Sequence, residues 1–216
     1  MSPTTTPRPN KRKELGAKSR DEILNAALSM MALYGYEGAS VSKIATASGL
    51  PASSIYWHFG SKAGVLAAVL ERGAQAFFSD YGTDLTLSGE VVDPLSTLRS
   101  VLGKAQQTAD EHPEFLRLLF LLSLSGEHDE KVTQVIEAAT AEGRAQLHAL
   151  LKYAFSGQGE QLALRIADEL ADFAQATFDG ASLNAATRPH VSHALLIGHM
   201  AEALYALGNA IIRRDS

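Results

Sequence analysis

Between Ser40 and Lys62 the chain gathers side chains suited to touching nucleic acid: Ser40, Ser42, Ser53, Ser54, Tyr56, Trp57, His58 and Lys62. Hydroxyl, phenol, imidazole and ammonium groups can hold phosphate oxygens, while an indole and short serines can approach base edges. Bond-breaking chemistry has no comparable constellation. The sequence has no cysteine, which excludes disulfides, thiolate nucleophiles and cysteine metal sites. Ser40-x-x-Lys43 has the spacing of the serine–lysine pair of penicillin-binding enzymes, but the companion Ser-Asp-Asn and Lys-Thr-Gly motifs are absent. Neither Gly-x-Ser-x-Gly nor Gly-x-x-x-x-Gly-Lys occurs, and Gly157-x-Gly159 alone is too little for a nucleotide site. His190 and His193 are one turn apart, but His199 points elsewhere, so surface or satisfied core histidines are expected rather than a metal site. The residues predict no enzyme, no metal and no cofactor.

Two short helices and a tight turn must position the polar set. Val41, Ile44 and Ala45 recur at helical spacing, and Ser40 before them suits an N-cap. Gly49 stops this helix, Leu50 fills the gap, and Pro51 falls where a helix start tolerates proline. The next helix covers about Ala52 to Phe59. With Ile55 facing inward, Ala52 and Phe59 share its side, Ser53 and Trp57 point away, Ser54 and Tyr56 flank them, and His58 lies nearer the core. Large aromatics turned outward mark a contact surface. Helix, glycine turn, helix is the arrangement that fits a major groove. Gly60-Ser61-Lys62 opens a further helix, whose first N–H groups and Lys62 can face a phosphate.

Residues 19–70 resemble the DNA-binding domain of the TetR family of bacterial transcriptional regulators. The likeness rests on Ser40-Val41-x-x-Ile44-Ala45, Ser48-Gly49-Leu50, Ile55-Tyr56-Trp57-His58-Phe59 and Ser61-Lys62, and covers about a quarter of the chain. Pro51 and Ala63-Gly64 depart from the family's usual residues. The resemblance implies an operator-binding homodimer in the cytoplasm, a repressor released by a small inducer. An inducer-free or activating regulator is the alternative, and a helical ligand-binding enzyme a more distant one. By position, Ser53 and Trp57 would approach base edges, with Ser42 also in reach, while Ser40, Tyr56, His58 and Lys62 would hold phosphates.

The chain has 216 residues and net charge −5, divided unevenly. Residues 1–72 hold 9 basic and 5 acidic side chains (+4), and residues 73–216 hold 10 and 19 (−9), which together restore −5. A basic front on an acidic chain offers one end to a polyanion. Residues 1–17 read as a flexible basic arm, with Arg8, Lys11, Arg12 and Lys13 able to follow phosphates or enter a minor groove. Residues 52–59 contain no Arg, Lys, Asn or Gln, so the bidentate readers of guanine and adenine are missing there. Recognition would lean on thymine methyls, serine hydroxyls, DNA shape and the arm. Ser19-x-x-Glu22 reads as a capping box opening a helix that carries Ile23, Leu24, Ala27, Leu28 and Met31 and ends near Gly35.

The expected fold is all-α: the arm, a three-helix DNA-binding domain over 18–72, and a larger helical ligand-binding and dimerisation domain over 73–216. A fourth helix from Ser61 toward Tyr81 spans both, and residues 82–93 form a connection. Further helices are predicted at about 94–109, 113–125, 129–155, 160–186 and 189–214. Ala194 to Ile212 is apolar, but His199, Glu202 and Asn209 interrupt it, favouring a buried helix over a membrane span. The last two helices each carry a small-residue stripe beside a bulky one. The small stripe, with Ala167, Ala171, Ala174 and Phe178 on one helix and Ala194, Gly198, Ala201 and Tyr205 on the other, is expected to meet a second subunit. The alternative is that one chain buries both stripes. Aromatic residues in the middle helices, Phe77 and Phe120 above all, are candidates for an apolar or aromatic ligand.

Overall fold

A computed structural model of the protein describes residues 11–82, 93–126, 129–188 and 190–215. Among the described residues the regular structure is helical. The helices are α1 (Lys11–Gly38), α2 (Val41–Ser48), α3 (Ala52–Phe59), α4 (Lys62–Gly82), α5 (Pro94–Glu111), α6 (Pro113–Leu124), α7 (Glu130–Ala154), α8 (Glu160–Thr187) and α9 (His193–Asp215). A single 3-10 turn, Ser156–Gln158, separates α7 from α8. The chain divides into two units at Val69–Leu70, inside α4. The connection expected at 82–93 lies almost wholly outside the described residues.

In the first unit α1, α2 and α3 pack together. Ile23, Leu24, Ala27, Met31, Ile44 and Ile55 are fully buried, and Val65 and Leu66 from the start of α4 join them. Ile55 is the one fully buried side chain of α3, so its truncation to alanine should cost about 2–5 kcal/mol. Leu28 and Phe59, both expected in this core, are only half-buried. The Arg20 guanidinium covers Phe59, 5.4 Å from its ring centre.

The start of α1 differs from expectation. The helix begins at Lys11, within the stretch read as an arm, and Ser19 is no cap. Lys, Arg, Glu, Leu and Ala between 11 and 18 are good helix formers, so nothing stops the helix at Ser19. The Ser19 hydroxyl instead donates back to the Gly16 carbonyl, the pattern of a mid-helix serine. Arg8 lies outside the described residues, as do the side chains of Lys11, Arg12 and Lys13. At the other end Gly35 adopts φ 71°, which breaks the helix where the sequence placed its end.

In the second unit α8 packs against α7 and α9, and α5 against α9 and α7. Leu98, Leu102, Leu118, Leu150, Leu151 and Ile166 fill the interior. The Asp93 carboxylate accepts from the N–H groups of Leu95 and Ser96 and caps α5. Those bonds, Ser96 first, hold its carboxyl below the usual carboxylate range. Asp129 caps α7 through Lys131 N–H. By length and composition α9 is apolar enough to cross a bilayer. Its Ile197, Met200, Leu204 and Ile211 are buried within the unit.

The small-residue stripe of α8 is corrected. Ala167, Ala171 and Ala174 are fully buried in the single chain, as is Ala201 of α9, and Phe178 is nearly so. These residues face the subunit's own interior, where small side chains let neighbouring helices approach closely. Ala194 is exposed, and Gly198 and Tyr205 are half-buried. Several large apolar groups of α8 and α9 are left to solvent. Phe173 is 43% exposed and Leu195 58%, with Leu164, Leu183 and Leu207 also exposed.

Candidate functional site

The turn between α2 and α3 is built by local chemistry. Ser40 caps α2, its Oγ accepting from Lys43 N–H at 3.3 Å. Gly49 takes the left-handed conformation (φ 70°) that ends α2, which suits glycine. Pro51 is the N-cap of α3, and Gly60 (φ 74°) ends it. Ser61 then caps α4 by accepting from Gly64 N–H at 3.0 Å. Gly64, one of the departures from the family's pattern, has a physical reason. A Cβ there would run into the Phe59 carbonyl at the end of α3.

On α3 the buried Ile55 side is opposed by an open polar and aromatic side. Trp57 is 78% exposed and Tyr56 52%. Ser53 is exposed beside them, and Ser54 is half-buried. On α2 the Ser40 and Ser42 hydroxyls lie 2.9 Å apart, and Ser42 is exposed. These six residues share the outward faces of α2 and α3, or their rims.

His58 and Lys62 are placed differently from the rest. His58 turns toward α1, with Nε2 2.8 Å from Ser19 Oγ. Because the Ser19 proton goes to Gly16, the imidazole Nε2–H is the donor and Nδ1 carries the lone pair. Partial burial, then the charge of Arg20, holds the His58 pKa below its ordinary value. A neutral imidazole committed in this way is removed from the expected set of phosphate donors. The Lys62 ammonium lies 4.1 Å from the Tyr36 ring centre, 3.5 Å from the Glu37 carbonyl and 4.0 Å from the Glu37 carboxylate. Its ammonium is thus held against the end of α1.

Lys43 was missed by the sequence reading. It is exposed beside Ser42 on α2, donates to the Gly38 carbonyl at 2.8 Å, and lies 5.0 Å from the centre of the exposed Tyr34 ring. A cation fixed next to Ser40 and Ser42 is well placed for a phosphate. Its position in the first turn of α2 was the available signal.

The second unit contains a cavity of about 240 Å³. Phe77 and Phe120, the two candidates from sequence, both line it, with Phe78, Phe115, Phe178 and Leu147. Gly73 of α4 has no side chain because the Phe115 ring fills that space. Gln175 and Asp179, also in the lining, form a polar pair that the sequence reading passed over. Their spacing of four on α8 was the signal.

Asp110, His193 and Ser182 form a chain in the same unit: Nδ1 of His193 is 2.8 Å from Asp110, and Nε2 is 3.4 Å from Ser182 Oγ. The order is that of a hydrolytic triad, but Ser182 sits mid-helix in α8, where backbone N–H groups are spent on helix bonds. Among the described residues no group of three or more His, Asp or Glu could hold a metal.

Among the described residues the arrangement is all-α, a helix-turn-helix unit and a second helical unit that contains a cavity. Residues 23–69 match the family model described as bacterial regulatory proteins, tetR family. The transcriptional repressor NicS of Pseudomonas putida is 30% identical over 141 residues, 58% of this chain and 65% of that protein. The transcriptional regulator AcrR of Shigella flexneri is 33% identical over 95 residues, 43% of this chain and 42% of that protein. The chain thus aligns with less than two thirds of the length of either relative. Among solved structures, a TetR-family regulator from Agrobacterium tumefaciens superposes with TM-score 0.67 at 22% identity, covering 88% of this chain and 96% of that one. A regulator from Saccharomonospora viridis in complex with choline gives TM-score 0.68 at 20% identity, covering 88% and 95%. Residues 23–69 thus match the DNA-binding domain of the TetR family of bacterial regulators, and the described helices share the fold of solved regulators.

Proposed function

We propose that the protein is a cytoplasmic repressor that binds an operator duplex as a homodimer and leaves it when a small molecule fills the cavity. One observation carries the DNA-binding reading: α3 buries Ile55 completely while Trp57, Tyr56 and Ser53 stand in solvent. A helix of eight residues gains nothing for its own fold from such a face. Each subunit presents α3 to a major groove, with Ser53 and Trp57 toward bases and Ser40, Ser42, Tyr56 and Lys43 toward phosphates. Lys62 adds an ammonium from the start of α4. The basic arm adds phosphate contacts from the N-terminal side.

The ligand reading rests on the cavity and on α4, which carries Phe77 and Phe78 in its wall. That a transcriptional regulator of similar fold from Saccharomonospora viridis holds choline supports a ligand-binding role. Releasing the operator about 100-fold requires a ligand to prefer the non-binding form by about 2.7 kcal/mol. The second copy meets the exposed apolar groups of α8 and α9, among them Phe173, Leu183 and Leu195.

Selection of duplexes from a random-sequence pool on the immobilised chain tests the reading. Enrichment of a two-fold symmetric site, and repression of a reporter placed behind it, are expected. Retention of random duplexes with no enriched site would overturn it. A compound that releases the selected site and raises the unfolding temperature identifies an inducer.

A further inference from the structure

We propose that the cavity of the second unit is built for a small molecule that joins an aromatic or apolar body to a protonated amine, with Gln175 and Asp179 holding the amine. The proposal rests on reading the cavity as the ligand site. The body of the ligand follows from the walls. Phe77, Phe78, Phe115, Phe120 and Phe178 supply ring faces and edges. Rings attract a cation through their negative faces and pack against an apolar body through area.

The amine follows from the polar lining. Ser123 and Thr140 line the cavity, but their hydroxyls donate to carbonyls of their own helices, and Gln146 donates to Glu142. Gln175 and Asp179 remain. The Gln175 amide N–H group donates to both Asp179 oxygens at 2.9 Å. That bond fixes the amide, because a flipped amide would set its oxygen against the carboxylate. Gln175 Oε1 is therefore left as the acceptor, and it is buried without a partner. Gly143, also in the lining, leaves it open: a Cβ there would stand 3.1 Å from Oε1.

A buried acceptor with no partner is expensive, and a ligand N–H that reaches it recovers the loss. Asp179 adds a carboxylate with lone pairs to spare after the Gln175 bonds. Among the described residues no basic side chain lines the cavity, and no cation acts on Asp179. Burial raises the Asp179 pKa and the Gln175 bond opposes it, so a cation placed beside the carboxylate would favour its charged form. One ligand group answers both needs: a cation that is also an N–H donor. A carboxylate or phosphate would be repelled by Asp179, and a quaternary ammonium would leave Gln175 Oε1 unpaired.

Calorimetric titration of the full chain with 2-phenylethylamine, 2-phenylethanol and phenylacetate tests this. The three share a phenyl body and differ at the terminal group. The amine should bind about ten-fold or more tighter than the alcohol, a difference of about 1.4 kcal/mol, and phenylacetate weakest. Asp179→Asn should bring the amine to within about three-fold of the alcohol while leaving alcohol affinity in place, which also reports an intact cavity. Equal affinity for amine and alcohol, preference for the acid, or an unchanged amine preference in D179N would each overturn the proposal. Binding of none of the three would overturn it too. In that case operator release by an uncharged apolar compound would still uphold the broader ligand reading, so the two failures are separable.

Discussion

Ser19 and His58 are joined across 39 residues by a 2.8 Å hydrogen bond that ties α1 to the last turn of α3. Helix α3 is thereby held at its C-terminal end by a titratable group. Burial and then Arg20 depress the folded pKa of His58 below its unfolded value. The unfolded chain accordingly takes up the proton first as pH falls. The stability linked to His58 is full above pH of about 6.5 and is lost as pH falls through the depressed folded pKa. Urea unfolding at a series of pH values from 7.5 to 5 should show a steeper loss for the natural chain than for His58→Phe. Identical slopes would detach the residue from the linkage.

Removing the indole separates folding from recognition. Trp57→Ala touches no buried group, so its unfolding free energy should stay within about 0.5 kcal/mol of the natural chain. Affinity for the selected duplex should fall about ten-fold or more. Anisotropy of a labelled duplex gives the second number and chemical denaturation the first. A loss of stability with no loss of affinity would remove Trp57 from the interface.

The exposed large side chains of α8 and α9 make the dimer prediction specific. Phe173→Asp and Leu195→Asp each place a charge where a second copy is proposed to sit. Each should shift the chain toward a monomer at micromolar concentration, with helical content unchanged. Sedimentation equilibrium reads the mass directly. Ala171→Asp, by contrast, should unfold the second unit, because Ala171 is fully buried in its own subunit.

Gly73 and Phe115 offer a test of the cavity wall. Gly73→Ala forces the added methyl into the Phe115 ring, which must move. The expected loss is about 1–3 kcal/mol of stability, accompanied by weaker ligand binding. If the thermal midpoint and ligand affinity are both unaltered, the ring has free space that the fold does not reveal.

The helix-turn-helix was legible because several local signals coincide. Ser40, Gly49, Gly60 and Ser61 punctuate the chain where the helices start and stop, and Ile55 fixes which side of α3 is inward. The start of α1 was not legible, since Ser19 and Glu22 match a capping box while the residues before them are equally content in a helix. On α8 the difficulty was different. A helix with two apolar stripes gives a wheel no means of choosing between its own core and a partner, and Ala167, Ala171 and Ala174 prove to be inside. The cavity was half legible. Phe77 and Phe120 stood out by size, whereas Gln175 and Asp179 are two polar residues on a long helix and acquire meaning only when α7 closes over them.

The chain has a single tryptophan, and it stands exposed on α3. Its fluorescence is therefore an unlabelled probe of one surface only. Docking of a duplex on that surface would quench or shift the emission. The protein thus carries its own spectroscopic reporter at the place where recognition is proposed to occur.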